Sequence, residues 1–135
     1  MAELTKRPVI GVTVGDPAGI GPEVVIKALC KPTLYNEVKP LVFADRSILE
    51  QTIKMLCADI DLHAVNKPHK GHYEVGCIDF IDVGSLSEPI AYGQISAEGG
   101  RAGYQYLDRA IDATLSGTVA GLSTAPLNKE SLQAA

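Results

Sequence analysis

Val9-Ile10-Gly11-Val12-Thr13-Val14-Gly15-Asp16-Pro17-Ala18-Gly19-Ile20-Gly21-Pro22-Glu23 is an apolar run leading into a turn rich in glycine and proline. Val24-Val25-Ile26-Lys27-Ala28-Leu29 follows, with helical apolar spacing. The order is strand, loop, helix. A continuous apolar run before such a turn suits a strand buried on both faces, as in a parallel sheet covered by helices. Glycines let backbone N–H groups approach a ligand closely, and the helix that follows offers its positive end to an anion. Gly15, Gly19 and Gly21 with Pro17 and Pro22 combine freedom and rigidity, which a mere connection rarely needs.

The turn matches neither common phosphate motif. A Walker loop requires Gly-x-x-x-x-Gly-Lys-Ser/Thr, whereas Ile20 stands at the second glycine position counted from Gly15. A dinucleotide fingerprint requires Gly-x-Gly-x-x-Gly, whereas the glycines here run Gly15-x-x-x-Gly19-x-Gly21. Asp45 could imitate the ribose-binding acid of that fold, but without the glycine spacing this reading is rejected.

Working outward, the first strand is expected over Thr5–Val14. The first helix should have Gly21 as N-cap, Pro22 at its first position and Glu23 against the dipole, ending near Cys30 before Pro32. Leu41–Ala44 reads as a second strand, and Ser47-x-x-Glu50 as a capping box opening a helix through Leu56. Asp61–Val65 and Cys77–Val83 are further strands, separated by a polar surface loop, Asn66–Gly76. After a loop over Gly84–Gly93, Ser96–Ser116 is the longest helix, capped by Ser96 and stopped by Gly117. Val119–Ser123 is a last strand, Thr124–Leu127 a loop, and Asn128 the N-cap of a final helix. Strands alternating with helices predict an α/β fold with a mainly parallel sheet flanked by helices, spanning residues 1–135 as a single region.

The chain has 135 residues, 46% hydrophobic and 21% charged, with net charge −4. That is a globular composition, and without a basic cluster it excludes non-specific nucleic-acid binding. No apolar run approaches the ~20 residues of a membrane span. Met1–Pro8 lacks a signal-peptide core, and Cys30, Cys57 and Cys77 are dispersed and odd in number. These features suggest a reducing, cytoplasmic setting. The last helix begins but meets no closing signal before Ala135, so the chain is expected to be part of something longer.

In open parallel sheets, ligands bind beyond the carboxyl ends of the strands, where Gly15–Gly21 and Ser123–Lys129 both fall. The two turns are expected to lie side by side as half of a pocket for an anionic metabolite. Lys129 sits in a first helical turn, where the dipole disfavours a cation by ~0.3–1 kcal/mol. It is either a solvated lysine paired with Glu130 or a ligand for phosphate or carboxylate. Asp16 either closes an Asx-type turn or meets a substrate hydroxyl or amide. Ser123 and Thr124 either bind substrate oxygens or simply finish a strand. His63, His69, His72 and Cys77 match no standard zinc spacing.

Thr13–Glu23 resembles the N-terminal signature of the 4-hydroxythreonine-4-phosphate dehydrogenase family. Gly93-Gln94-Ile95-Ser96-Ala97-Glu98-Gly99-Gly100 and Thr124-Ala125-Pro126-Leu127-Asn128-Lys129-Glu130 resemble two further segments of that family, in the same order. The resemblance implies a fold like isocitrate and isopropylmalate dehydrogenases. It also implies NAD-dependent, divalent-metal-assisted oxidation of a phosphorylated four-carbon hydroxy acid, whose β-keto product loses carbon dioxide. The substrate would be 4-hydroxythreonine 4-phosphate of pyridoxine biosynthesis, or an erythronate or threonate 4-phosphate. The chain would be the N-terminal part of a two-domain, homodimeric enzyme and inactive alone. Its cleft residues would be Gly15, Asp16, Gly19, Gly21, Thr124, Asn128 and Lys129. The family's metal histidines and main phosphate residues would lie beyond Ala135, leaving no metal ligand here. The alternatives are a phosphate acyltransferase-like enzyme on a similar fold and a non-catalytic phosphate-binding module.

Overall fold

β1 (Val9–Thr13) is an interior strand of a parallel sheet, as its largely apolar residues require. The computed structural model describes residues 6–87 and 90–135. Thr5 of the expected first strand, and Glu88 and Pro89 of the Gly84–Gly93 loop, lie outside that range. Among the described residues, β1 is joined by β2 (Lys39–Ala44), β3 (Asp61–Ala64), β4 (Cys77–Asp82) and β5 (Gly121–Thr124), in the spatial order β3-β4-β2-β1-β5. Every pairing is parallel. Between the strands run α1 (Gly21–Ala28), α2 (Leu34–Glu37), α3 (Arg46–Leu56) and α4 (Ala97–Leu115), with α5 (Lys129–Ala134) after β5.

Side-chain alternation divides the core in two. Val42, Ala44, Ile78 and Phe80 pack with Val25, Ile26 and Leu29 of α1 and Leu49 of α3. Leu41, Phe43 and Ile81 point the other way, towards Ala110 of α4, Val119 and Tyr73. β2 and β4 therefore carry apolar residues on both faces of the sheet.

Several boundaries differ from expectation. Ile20, not Gly21, is the N-cap of α1, which puts Gly21 and Pro22 at its first two positions. The reason is steric: a Cβ on Gly21 would lie 1.8 Å from the Val14 carbonyl oxygen, so glycine is needed inside the turn and not as a cap. The capping box at Ser47 does not form. α3 starts at Arg46 after Asp45, whose carboxylate instead accepts from the backbone N–H groups of Ser85 (2.8 Å) and Leu86 (2.7 Å). The four-residue α2 was not expected, and Pro68–Lys70 forms a 3-10 turn inside the polar loop. β5 begins at Gly121, two residues late, after buried Val119.

Ser96 does cap α4, its Oγ accepting from Gly99 N–H at 3.0 Å. Asn128 caps α5, its Oδ1 accepting from Ser131 N–H at 2.9 Å. No described helix is long and apolar enough to cross a membrane.

Candidate functional site

β1 and β5 are neighbours, but the chain leaves them in opposite directions. α1 follows β1 and packs with α3, whereas α5 follows β5 and packs on α4. Such a switch point opens a crevice at the carboxyl ends of the two strands. The two turns expected to be neighbours meet there. Ala125 N–H donates to the Thr13 carbonyl (3.0 Å), continuing the ladder, and Asp16 N–H donates to the Pro126 carbonyl (3.4 Å).

The glycines of the first turn are explained by this contact. Gly15 has φ +71°, and a Cβ there would lie 2.1 Å from the Pro126 oxygen. A Cβ on Gly21 would come 3.0 Å from that of Ala125, besides meeting Val14. Gly19 is exposed, and its N–H donates to the Asp16 carbonyl at 2.9 Å. The space that glycine vacates at positions 15 and 21 is thus filled by the protein's own backbone.

Asp16 is 3% exposed. Its Oδ1 accepts from Ala18 N–H at 2.8 Å, closing the expected Asx-type turn. Its Oδ2 is buried without a hydrogen-bond partner among the described residues. A buried carboxylate oxygen ordinarily has a partner, which makes this atom an exception.

The second turn contributes polar groups at the surface. Thr124 and Ser123 are exposed and line a cleft of about 370 Å³, otherwise walled by Ile10, Val12, Val24, Val25 and Leu29, among others. Asn128 spends its oxygen on the cap, which leaves its amide NH₂ outward. Lys129 is exposed, forms no ion pair with Glu130 or any other described residue, and does not line that cleft.

The N-terminal half of α4 forms the back of the crevice, a role not assigned from sequence. A Cβ on Gly99 would meet Asp16 Oδ1 at 2.8 Å. One on Gly103 would meet Leu127 Cδ2 at 3.1 Å and the Gly15 oxygen at 3.2 Å. Ser96 N–H donates to Ser131 Oγ at 3.2 Å, tying α4 to α5. Glycine inside a helix costs ~1 kcal/mol against alanine, and that cost is the sequence signal that was available.

The three histidines lie elsewhere, on and beside β3 at the opposite edge of the sheet. Among the described residues, no three His, Cys, Asp or Glu side chains are placed to share a metal ion.

The family model for the pyridoxal phosphate biosynthetic protein PdxA matches residues 36–135. The chain belongs to the PdxA family. It is 39% identical over 127 residues to D-threonate 4-phosphate dehydrogenase of Cupriavidus necator, covering 94% of this chain and 38% of that protein. The crystal structure of a 4-hydroxythreonine-4-phosphate dehydrogenase from Burkholderia phymatum superposes with a TM-score of 0.90 at 41% identity, over 95% of this chain and 39% of that one. The Klebsiella pneumoniae 4-hydroxythreonine-4-phosphate dehydrogenase gives 0.86 at 33%, over 93% and 39%. The chain therefore spans about two fifths of the length of the PdxA-family relatives it matches. The α/β fold and the family resemblance are both as the sequence indicated, with the refinement that all five strands are parallel.

Proposed function

We propose that this chain forms one wall of the active site of a dehydrogenase acting on a phosphorylated four-carbon hydroxy acid, 4-hydroxythreonine 4-phosphate or D-threonate 4-phosphate. The observation that carries the reading is the abutment of the Gly15–Gly21 and Ala125–Lys129 turns at the β1/β5 switch point. In this reading the whole protein is a cytoplasmic, two-domain homodimer, and this chain is its N-terminal part.

NAD, when bound, would supply the hydride acceptor for the substrate carbinol carbon, turning the hydroxy acid into its keto acid. The resulting β-keto acid loses carbon dioxide. The described residues do not fit a metal centre, and no step is assigned to a metal ligand of this chain. The turn glycines likewise do not form a dinucleotide cradle, because backbone fills their space. What the chain supplies is position and polarity. Asp16 fixes the first turn and holds Oδ2 ready for a donor. Thr124 offers a hydroxyl at the strand end. The Asn128 amide and the Lys129 ammonium approach the substrate or its phosphate once the rest of the protein closes the crevice.

The test is NADH formation by the full-length protein with NAD, a divalent cation and each of the two phosphorylated acids. Turnover of at least one is expected, and Lys129→Met should lower kcat/KM by ~10–100-fold, the loss of a charge-assisted hydrogen bond. NADH formation with neither compound overturns the reading.

A further inference from the structure

The β3–β4 connection is the one strand-to-strand crossover among the described residues that carries no α-helix. It runs through Val65–Gly76 with only a 3-10 turn. The sheet face beside α4 is therefore open where β4 and β3 pass out from under that helix. Two hollows lie there. One, of about 460 Å³, is lined by His63, Asn66, Lys70, Ile81, Asp82 and Arg109, among others. The other, of about 310 Å³, shares Asn66, Ile81 and Arg109 and continues along Leu41, Phe43 and Ala113. Shared walls make them one groove with a mixed lining throughout: Asp112, Ser116 and Thr118 stand beside Phe43 and Ala113 in the second hollow.

The His63 end is organised. His63 and Asp79 are register partners on adjacent strands, and His63 Nδ1 lies 2.7 Å from Asp79 Oδ1. Asp79 is 2% exposed and also accepts from His72 N–H (3.0 Å) and Tyr73 N–H (2.8 Å). A carboxylate can only accept, so Nδ1 carries hydrogen and Nε2 is the ring nitrogen left for a ligand. The His72 ring stacks on His63 with centroids 4.0 Å apart, which fixes the imidazole plane. A tie that merely anchored the crossover would not need cations around it. Lys70 and Arg109 both line the hollow, and neither forms an ion pair among the described residues. Of the acids in the groove, Asp82 is engaged by Arg46 N–H at 3.3 Å, and Asp112 lines the second hollow.

We propose that this groove is a second small-molecule site that takes a phosphate monoester with an apolar body. The phosphate is held by Lys70 and Arg109, with the His63 ring beside it, and the body lies along Phe43, Ile81 and Ala113. The site shares no lining residue with the cleft at β1 and β5.

Phenyl phosphate titrated into the full chain is the probe, with the ring resonances of His63 as reporter, assigned by His63→Asn. Saturable movement of the His63 signals is expected, with Lys70→Gln and Arg109→Gln each weakening binding about tenfold. Inorganic phosphate should bind more weakly than phenyl phosphate, and benzyl alcohol should not move the signals. Lys70→Gln should leave dehydrogenase turnover unchanged, and Lys129→Met should leave the His63 titration unchanged, so that failure here and failure of the proposed function are told apart. Both cation variants replace exposed residues and are expected to fold. No movement of the His63 signals, or movement indifferent to both cation variants, overturns the proposal.

Discussion

Gly99, Gly100 and Gly103 occupy the first two turns of α4, where helix propensity alone favours alanine. At position 100 a Cβ would lie 2.0 Å from the Ser131 carbonyl oxygen and 2.2 Å from its carbon. Gly100→Ala would gain ~1 kcal/mol from propensity on an uncovered helix. Against the α5 backbone it should instead cost ~1–3 kcal/mol or more, by overpacking. The contrast is Gly76→Ala. Gly76 has φ +92° but nothing within 4 Å, so only backbone strain of ~1–2 kcal/mol applies there. Urea midpoints of the two variants check the order, and a stabilised Gly100→Ala would show that α5 does not dock on α4. Gly99 and Gly100 were plain in the sequence, within the Gly93–Gly100 segment that resembles the family. Their purpose was not, because the atoms they accommodate belong to Asp16, far earlier in the chain, and to Ser131, far later. Asp16 is the converse. Its Asx-type turn is a local device and could be read from Asp16-Pro17 alone, and the turn is what the coordinates contain.

Elements were legible in proportion to how local their determinants are. The apolar runs at Val9, Leu41 and Cys77 marked strands correctly, and Ser96 and Asn128 were recognised as caps because their acceptors serve N–H groups three residues on. Ser47 carried the same pattern with Glu50, yet a long-range demand prevailed. Asp45 is needed to hold Ser85 and Leu86, and that fixes the start of α3 one residue before Ser47. Ser96→Ala should therefore cost ~0.5–2 kcal/mol, whereas Ser47→Ala should stay within ~0.5 kcal/mol. Denaturant unfolding of both variants decides it, and equal losses would restore the capping box. The strand order was not readable at all, because strands buried on both faces carry no mark of which neighbour they take.

At the scale of the whole molecule, three buried phenols link the fold to alkaline pH. Burial first, and the Asp79 carboxylate second, push Tyr35 and Tyr73 up to about 12. Burial and the neighbouring Asp45 carboxylate raise Tyr106 as well. Unfolded tyrosine releases its proton near ~10, so between ~10 and ~12 the unfolded chain binds fewer protons than the folded one. Stability should be fully present below ~10 and fall as pH rises through that window. Thermal midpoints across the range check this, and Tyr73→Phe should flatten the fall. A midpoint indifferent to pH would mean that these rings are wet in solution.

The register that sets Thr13 beside Thr124 has a consequence for biosynthesis. A ribosome delivers the first of these residues long before the second, and the entropy of closing so long a loop delays their meeting further. Until β5 emerges and slots in against β1, one flank of β1 stays bare. The β1/β5 crevice is then among the last parts to assemble, and a stalled nascent chain would carry a finished sequence signature with nothing behind it.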